Sequence, residues 1–168
     1  MKITSVIFAA SSRRRSVSGF VLLDAVIAIL IFSIGILGMV ALQGSAVKLA
    51  GDAKYRTDAA MLTDQVLAQM WGSDLSTPGA IATAFNGSGA TGGPMYTAWA
   101  ASLDCTSANP STSCLPGVSG ATNAPSVSAV ETVNTNNKNV VAVTVTVFWK
   151  APNDTGPHNY VSTTQISR

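Results

Sequence analysis

Asp24 is the residue of this sequence that most needs a chemical explanation. It lies near the start of a long apolar run, and no other charged residue occurs between it and Lys48. Residues 20–42 form a segment of 23 residues, and a helix of about 20 residues is enough to cross the hydrocarbon layer of a membrane. A carboxylate moved toward lipid costs a few kcal/mol, so intramembrane acids usually have a partner and a function. We expect the same of Asp24.

The other side chains with acid–base capacity are scattered over predicted loops in the second half of the chain. Those that follow the predicted long helix are four acids and the single histidine: Asp74, Asp104, Glu131, Asp154 and His158. No Ser-His-Asp motif, phosphate-binding loop or Cys-x-x-Cys pair accompanies them, although a catalytic site needs converging groups. Two cysteines and one distant histidine do not make a four-ligand zinc set. The sequence therefore predicts no enzyme, no cofactor and no metal site, with His158 exposed in a turn.

Residues 19–24, with the sequence GFVLLD, resemble the processing site of type IV pilins and type II secretion pseudopilins. In those families the leader ends in Gly-Phe and the mature chain carries an acid as its fifth residue. Residues 34–43 and 62–70 are similar to the minor-pilin family called type IV pilus modification protein PilV. Weaker similarity returns at residues 143–149 and 163–166. The resemblance is thus concentrated in the N-terminal part of the chain.

The resemblance implies a set of roles for the first residues of the helix. Prepilin peptidase would cleave after Gly19 on the cytoplasmic face, and Phe20 would then be N-methylated. Asp24 would pair with the methylated amine of a neighbouring subunit, or with its own, and so set the axial register of the filament. The chain departs from the family at two positions, since it has Asp24 where Glu is usual and Val21 where Ser or Thr is usual.

Alternatives stay open for several of these residues. The apolar run could be an uncleaved anchor or a secretory signal, with small residues at 44–46 as the cleavage site. Asp24 could simply complement the helix dipole. Gly35 and Gly38 could be tolerated glycines, or they could permit close helix packing or local unwinding.

The charge distribution indicates the orientation of the chain. Lys2 and the arginines at 13–15 precede Gly19, and without them the chain has 6 basic and 8 acidic residues, a net charge of −2. Basic residues beside a membrane helix favour the cytoplasmic side, so the part after the helix is expected in the periplasm. Disulfides persist there, and Cys105 and Cys114 are predicted to close a loop. Too few basic residues remain for nucleic-acid binding.

Hydrophobic periodicity predicts one long helix from Phe20 to about Trp71. No proline occurs before Pro78, and the first part is apolar on all sides. The second part carries one apolar face, formed by Tyr55, Ala59, Leu62, Val66 and Met70, which is typical of a helix packed on one side. A sheet is its expected partner, and Gly72 is the expected stop.

The remaining residues predict a loop-rich head that ends in antiparallel strands. Residues 73–139 are rich in Gly, Ser, Thr, Ala and Asn, which favours long loops over regular elements. Residues 95–99 and 126–133 are the expected ordered segments. Residues 140–150 alternate with a period of two, and residues 160–166 read as their antiparallel mate. The three tryptophans, Trp71, Trp99 and Trp149, are expected in the core or between helix and sheet.

Together these observations predict an α+β, type IV pilin-like fold. Its domains are a leader at 1–19, a transmembrane or filament-core half of the helix at 20–44, an amphipathic half at 45–72 and a head at 73–168. The expected function is that of a minor type IV pilin that primes assembly or lies in the tip complex. The alternatives are a minor pseudopilin of a type II secretion system, or a pilus-borne adhesin or DNA-uptake subunit.

The expected partners and location follow from that function. The partners are prepilin peptidase, other minor pilins, the major pilin and the inner membrane before assembly. The expected location is the inner membrane, crossed once with the N-terminus in the cytoplasm and the head in the periplasm, and then the pilus or cell surface.

Overall fold

The fold is α+β, as the sequence predicts, with a long N-terminal helix and a five-stranded antiparallel sheet. The computed structural model describes residues 18–73, 77–133 and 139–167. In chain order the elements are α1 (Ser18–Trp71), α2 (Ala80–Phe85), β1 (Gly87–Ser88), β2 (Thr91–Gly92), α3 (Pro94–Leu103), β3 (Ser126–Val133), β4 (Asn139–Trp149) and β5 (His158–Ser167). Contacts divide the chain into two compact units, with the boundary between Val47 and Lys48.

The first unit contains the apolar part of α1. All residues from 19 to 47 are exposed, and α1 is the one helix in the described ranges that is long and apolar enough to cross a membrane. Ser33 Oγ donates to the Ile29 carbonyl oxygen at 2.7 Å, so this hydroxyl is satisfied inside the helix without a neighbour. An exposed surface that is apolar on every side of a helix is suited to lipid or to a bundle interior.

The second unit begins with the amphipathic part of α1, which packs on the sheet. The predicted face is confirmed: Ala59, Leu62, Val66 and Met70 are buried in the same core as the strands, and Tyr55 packs at its edge. Thr63 is also fully buried, and its hydroxyl donates to the Ala59 carbonyl oxygen at 2.8 Å. The helix ends at Trp71, immediately before Gly72, as the sequence predicts.

The sheet has the strand order β2-β1-β3-β4-β5, and all its pairs are antiparallel. The predicted strand at 140–150 is β4, and its predicted mate at 160–166 is β5. Val141, Val143, Val145, Val147 and Trp149 are buried while the residues between them are not, because successive side chains of a strand point to opposite faces. The period-two prediction is therefore confirmed.

The prediction of long loops at 73–139 is wrong for part of that region. Residues 126–133 do form β3, but α2, α3 and the β1–β2 hairpin also form here. The expected segment at 95–99 lies inside α3, which starts at Pro94, a favoured residue for the first helical position. Helices this short rely on tertiary packing more than on their own propensity, and a loop-like composition does not reveal that packing.

Tyr96 of α3 holds this region to the sheet. Its side chain is fully buried, and its hydroxyl oxygen lies 2.6 Å from the Pro125 carbonyl oxygen and 2.9 Å from that of Gly89. A Cβ added at Gly87 or Gly92 would lie 2.1 or 2.3 Å from the tyrosine ring. The two glycines are therefore needed because the ring lies directly on the hairpin backbone.

The tryptophan prediction holds for two of the three side chains. Trp99 and Trp149 are buried in the core, and Trp99 Nε1 donates to the Leu62 carbonyl oxygen of α1 at 2.9 Å. Trp71 is 52% exposed at the last position of α1, so its prediction is wrong. It is one residue past Met70, the last member of the buried face, and successive helical residues are rotated by about 100°, so Trp71 points away from that face.

Candidate functional site

The candidate site is the N-terminal end of α1, where the three residues with predicted roles lie close together. The helix begins at Ser18, so Gly19 and Phe20 are in its first turn. Asp24 follows Phe20 by four residues, which places the two on the same side of the helix and about 6 Å apart along its axis. All three are exposed. A neighbour can therefore reach the Gly19–Phe20 peptide bond and the carboxylate.

The N-terminal end of α1 carries a partial positive charge, and Asp24 is the carboxylate that lies nearest to it on the helix. The first N–H groups of a helix lack intrahelical acceptors and carry about half a positive charge between them. A chain cut after Gly19 would add the ammonium group of Phe20 at the same place. Asp24 is the one carboxylate within the 24–47 stretch of α1. The carboxylate lies beyond the first turn, which contains no acidic residue, and the effect of the helix dipole falls off within that turn. An ammonium group at Phe20 would be the nearest positive charge on the helix.

Gly35 and Gly38 lie in regular helix with open space beside them. Apart from the adjacent helix backbone, a Cβ added at either position would meet no described atom within 4 Å, and α1 continues through both without a break. The fold of the single chain therefore does not require glycine here. Small residues that the chain itself does not need are suited to close approach by a second helix.

The predicted disulfide between Cys105 and Cys114 is present, with the two Cα atoms 5.1 Å apart. It lies next to a buried pair of leucines, since Leu115 N donates to the Leu103 carbonyl oxygen at 2.9 Å and both side chains are fully buried. The bridge closes an irregular loop that leaves α3 and returns to the core. Closing a loop of this size stabilises a fold by roughly 2–3 kcal/mol in the chain-entropy account.

The acids of the head have separate structural roles where they are described. Asp104 accepts hydrogen bonds from the hydroxyl and backbone N–H of Thr106, at 2.6 and 2.7 Å, and from Gly120 N at 3.2 Å. The Thr106 hydroxyl is the main cause that lowers the pKa of Asp104. Glu131 accepts from Gly79 N, and Asp74 lies outside the described residues. In the described part of the chain no three potential metal ligands come together.

His158 is exposed as expected, but its assignment to a turn is wrong. It is the first residue of β5, where it pairs with Trp149 of β4. Its ring stacks on Trp149 with centroids 5.7 Å apart, and its Nε2 lies 3.0 Å from Asp154 Oδ2. Lys48 Nζ lies 3.6 Å from the other carboxylate oxygen. Asp154 thus connects the β4–β5 turn to α1 and to the start of β5.

These contacts determine the titration of Asp154. Burial raises its pKa, but the hydrogen bond from His158 and the charges of His158 and Lys48 outweigh it, so the pKa lies below the ordinary value of 3.8. A carboxyl group with a lowered pKa contributes stability that is present above the ordinary pKa. That contribution is lost as the pH falls through the lowered value.

We therefore expect Asp154→Asn to lower the melting temperature at pH 7 and to lower it progressively less as the pH falls below about 4. Thermal unfolding of both proteins between pH 7 and pH 3 checks this. Asp64→Asn is the matched control, because Asp64 is exposed on α1 and makes no ion pair in the described residues. A difference for Asp154→Asn that stays constant down to pH 3 would contradict the account.

Sequence reasoning missed two polar residues that the fold needs. One is the buried hydroxyl of Tyr96, whose pKa burial raises. The other is Asn86, whose side-chain amide donates to the carbonyl oxygen of Ala129 and accepts from its N–H. The sequence signal for Asn86 is weak, because an asparagine after a short helix usually reads as a turn residue.

Comparison of the chain with protein-family models, with curated proteins and with solved structures found no significant match.

Proposed function

We propose that this protein is a minor type IV pilin of the type IV pilus modification protein PilV kind, which helps to prime pilus assembly or lies in the tip complex. The observation that carries the proposal is Asp24. It is the sole charge between the Gly19–Phe20 junction and Lys48, and it lies on an exposed apolar helix long enough to span a membrane. In an ordinary anchor a carboxylate moved toward lipid costs a few kcal/mol, so its presence calls for a partner.

The proposed pathway begins with the apolar part of α1 stored in the inner membrane. The basic residues before Gly19 keep the junction on the cytoplasmic side, where prepilin peptidase cuts after Gly19 and Phe20 is N-methylated. The head then lies in the periplasm, which agrees with the Cys105–Cys114 disulfide, because that compartment allows disulfides to persist.

In the assembled filament the proposed mechanism is packing. The apolar segment leaves lipid for a bundle of like helices, and both surroundings suit a surface that is apolar on every side. In such a bundle an unpaired carboxylate or ammonium group is costly, so the Asp24 carboxylate and the Phe20 amine favour the axial offset that brings them together. Gly35 and Gly38 allow the neighbouring helices to approach closely.

The head supports a role in assembly more than a role in chemistry. Its described acids support local loops and turns, and its core is built from the amphipathic part of α1, the sheet and α3. We propose that its surface contacts other minor pilins and the major pilin. The net charge of −2 after Gly19 disfavours nucleic acid as a partner.

Detection in sheared pili tests the proposal. We expect the protein in the sheared filament fraction, in small amount relative to the major pilin, and we expect its deletion to lower the number of surface pili. A protein that is absent from sheared pili, and whose deletion impairs protein secretion alone, would instead be a minor pseudopilin of a type II secretion system.

A further inference from the structure

The two long edges of the sheet differ in how they are protected. On one side β3 pairs with β1 through Ser126 and Val127 alone, so the rest of β3 forms an edge of the sheet. The side-chain amide of Asn86 covers this edge by hydrogen bonding to both the N–H and the carbonyl oxygen of Ala129. Helix α2 packs on the same strand, and Gly79 just before it donates to Glu131. The chain thus covers this edge with its own side chains and backbone, as natural sheets commonly do.

The opposite edge, at β5, is open in the described part of the chain. All ten residues of β5 pair with β4, and no described backbone group outside β4 makes a hydrogen bond with the strand. A strand paired on one side presents a row of free N–H and C=O groups on the other. An edge of this length can receive an added strand.

The sequence of β5 also lacks the usual devices that block such pairing. It contains no Lys, Arg, Asp, Glu or Pro, although charged residues and proline are the common protection of edge strands. Val161, Thr163 and Gln165 lie on its solvent face, and Val161 is 50% exposed. The other face carries Tyr160 and Ile166, which pack on the core. The open edge is therefore long, uncharged and regular.

We propose that β5 is a docking edge for an extended strand of another protein, which adds a sixth strand to this sheet. The partner segment has about ten residues to match β5. It is uncharged, because a charged side chain would find no opposite charge on β5. It alternates, with apolar side chains on the α1 side of the sheet and neutral polar or β-branched side chains on the other.

A second copy of this chain does not fit the edge as well as a different protein. Two β5 strands paired about a two-fold axis run antiparallel, and the axis is perpendicular to the sheet. The amphipathic part of α1, which shares a buried core with the sheet, would then run in opposite directions in the two copies. Chains anchored by α1 in one membrane point the same way. The preference for a different protein follows from anchoring of α1 in a membrane and does not depend on the proposed pilin role.

Photo-crosslinking of the full-length chain in the cells that make it tests the proposal. Benzoylphenylalanine replaces Val161, Thr163 or Gln165, one at a time, and the crosslinked residues are mapped by mass spectrometry. We expect all three positions to crosslink to one segment of one other protein. We expect the attachment point to move by about two residues for each step of two residues along β5, because paired strands advance together.

Ser128 and Thr144 provide the two controls, because they lie in the same row across the sheet as Thr163: Ser128 pairs with Thr144, and Thr144 pairs with Thr163. The crosslinker at Ser128, two strands from the edge, should give little product. Thr163→Lys should lower the crosslinking yield from position 161 severalfold, whereas Thr144→Lys should not, because only the first charge lies on the edge strand. The absence of crosslinks, equal yields from Ser128, scattered attachment points or crosslinks to a second copy would each overturn the proposal.

Discussion

Replacing Asp24 by alanine should leave cleavage after Gly19 largely intact and lower incorporation into pili by about tenfold or more. In the proposed pathway, cleavage of the Gly19–Phe20 bond precedes assembly and does not use the carboxylate. In the proposed filament, the Phe20 amine lies in a bundle of apolar helices, where a charge without its partner is strongly unfavourable. Quantitative immunoblots of sheared pili and of membranes, with the processed form resolved by size, measure both effects in one experiment.

Two further substitutions at this position separate charge from shape. Asp24→Asn keeps the size of the side chain but removes the charge, so it should behave like Asp24→Ala. Asp24→Glu keeps the charge on a side chain longer by one methylene group, and it should incorporate as well as the natural protein or better. Normal incorporation of the alanine variant would contradict a role of Asp24 in setting the axial register and would favour a role in complementing the helix dipole.

The second large effect is expected at Leu62, where alanine should destabilise the helix–sheet core by about 2–5 kcal/mol. Leu62 is 1% exposed on the buried face of α1, and its carbonyl oxygen accepts the Trp99 Nε1–H at 2.9 Å. Removing the side chain leaves a cavity where α1 meets α3 and the sheet. Urea unfolding of the full-length protein in detergent, followed by tryptophan fluorescence, measures the loss.

Met61→Ala is the matched control for this prediction. Met61 precedes Leu62 on the same helix but is 51% exposed, so the substitution should change the free energy of unfolding by no more than about 0.5 kcal/mol. Equal effects of the two substitutions would contradict the assignment of the buried face. A loss at Leu62 below about 1 kcal/mol would contradict it as well.

Elements with a strong, long period could be predicted from the sequence. The helix up to Trp71 is predictable because no proline interrupts the chain before Pro78. Its buried face is predictable because apolar residues recur every three or four positions over several turns. Strand β4 was found because its valines alternate over eleven residues. In both cases the period arises because one side of the element is buried, and those buried sides form the core.

The parts that escaped prediction depend on contacts between distant residues. Helix α2 has six residues, too few for a period, and it is held by packing on β3 and α3. The place of Tyr96 depends on Gly87 and Gly92, which form part of a hairpin only after the chain has folded. Gly156 and Pro157 predict a turn at His158, but pairing with Trp149 makes His158 the first residue of β5.

The candidate site is a different case, because its proposed chemistry lies between molecules. The sequence alone singled out Asp24, and the structure adds its placement on an exposed face of α1, on the same side as Phe20. The partner of the carboxylate is expected on another subunit or at a processed N-terminus. Neither the periodicity of this chain nor its own fold contains that partner.

The mass of the N-terminal peptide, measured after expression with and without a prepilin peptidase, tests the central claim most directly. The account predicts that the peptidase produces a chain that starts at N-methylated Phe20 in a cell that also supplies the methyl group, and that Gly19 remains joined to Phe20 without it. An intact N-terminus at Met1 in the presence of the peptidase, or cleavage beyond Leu42, would contradict the account.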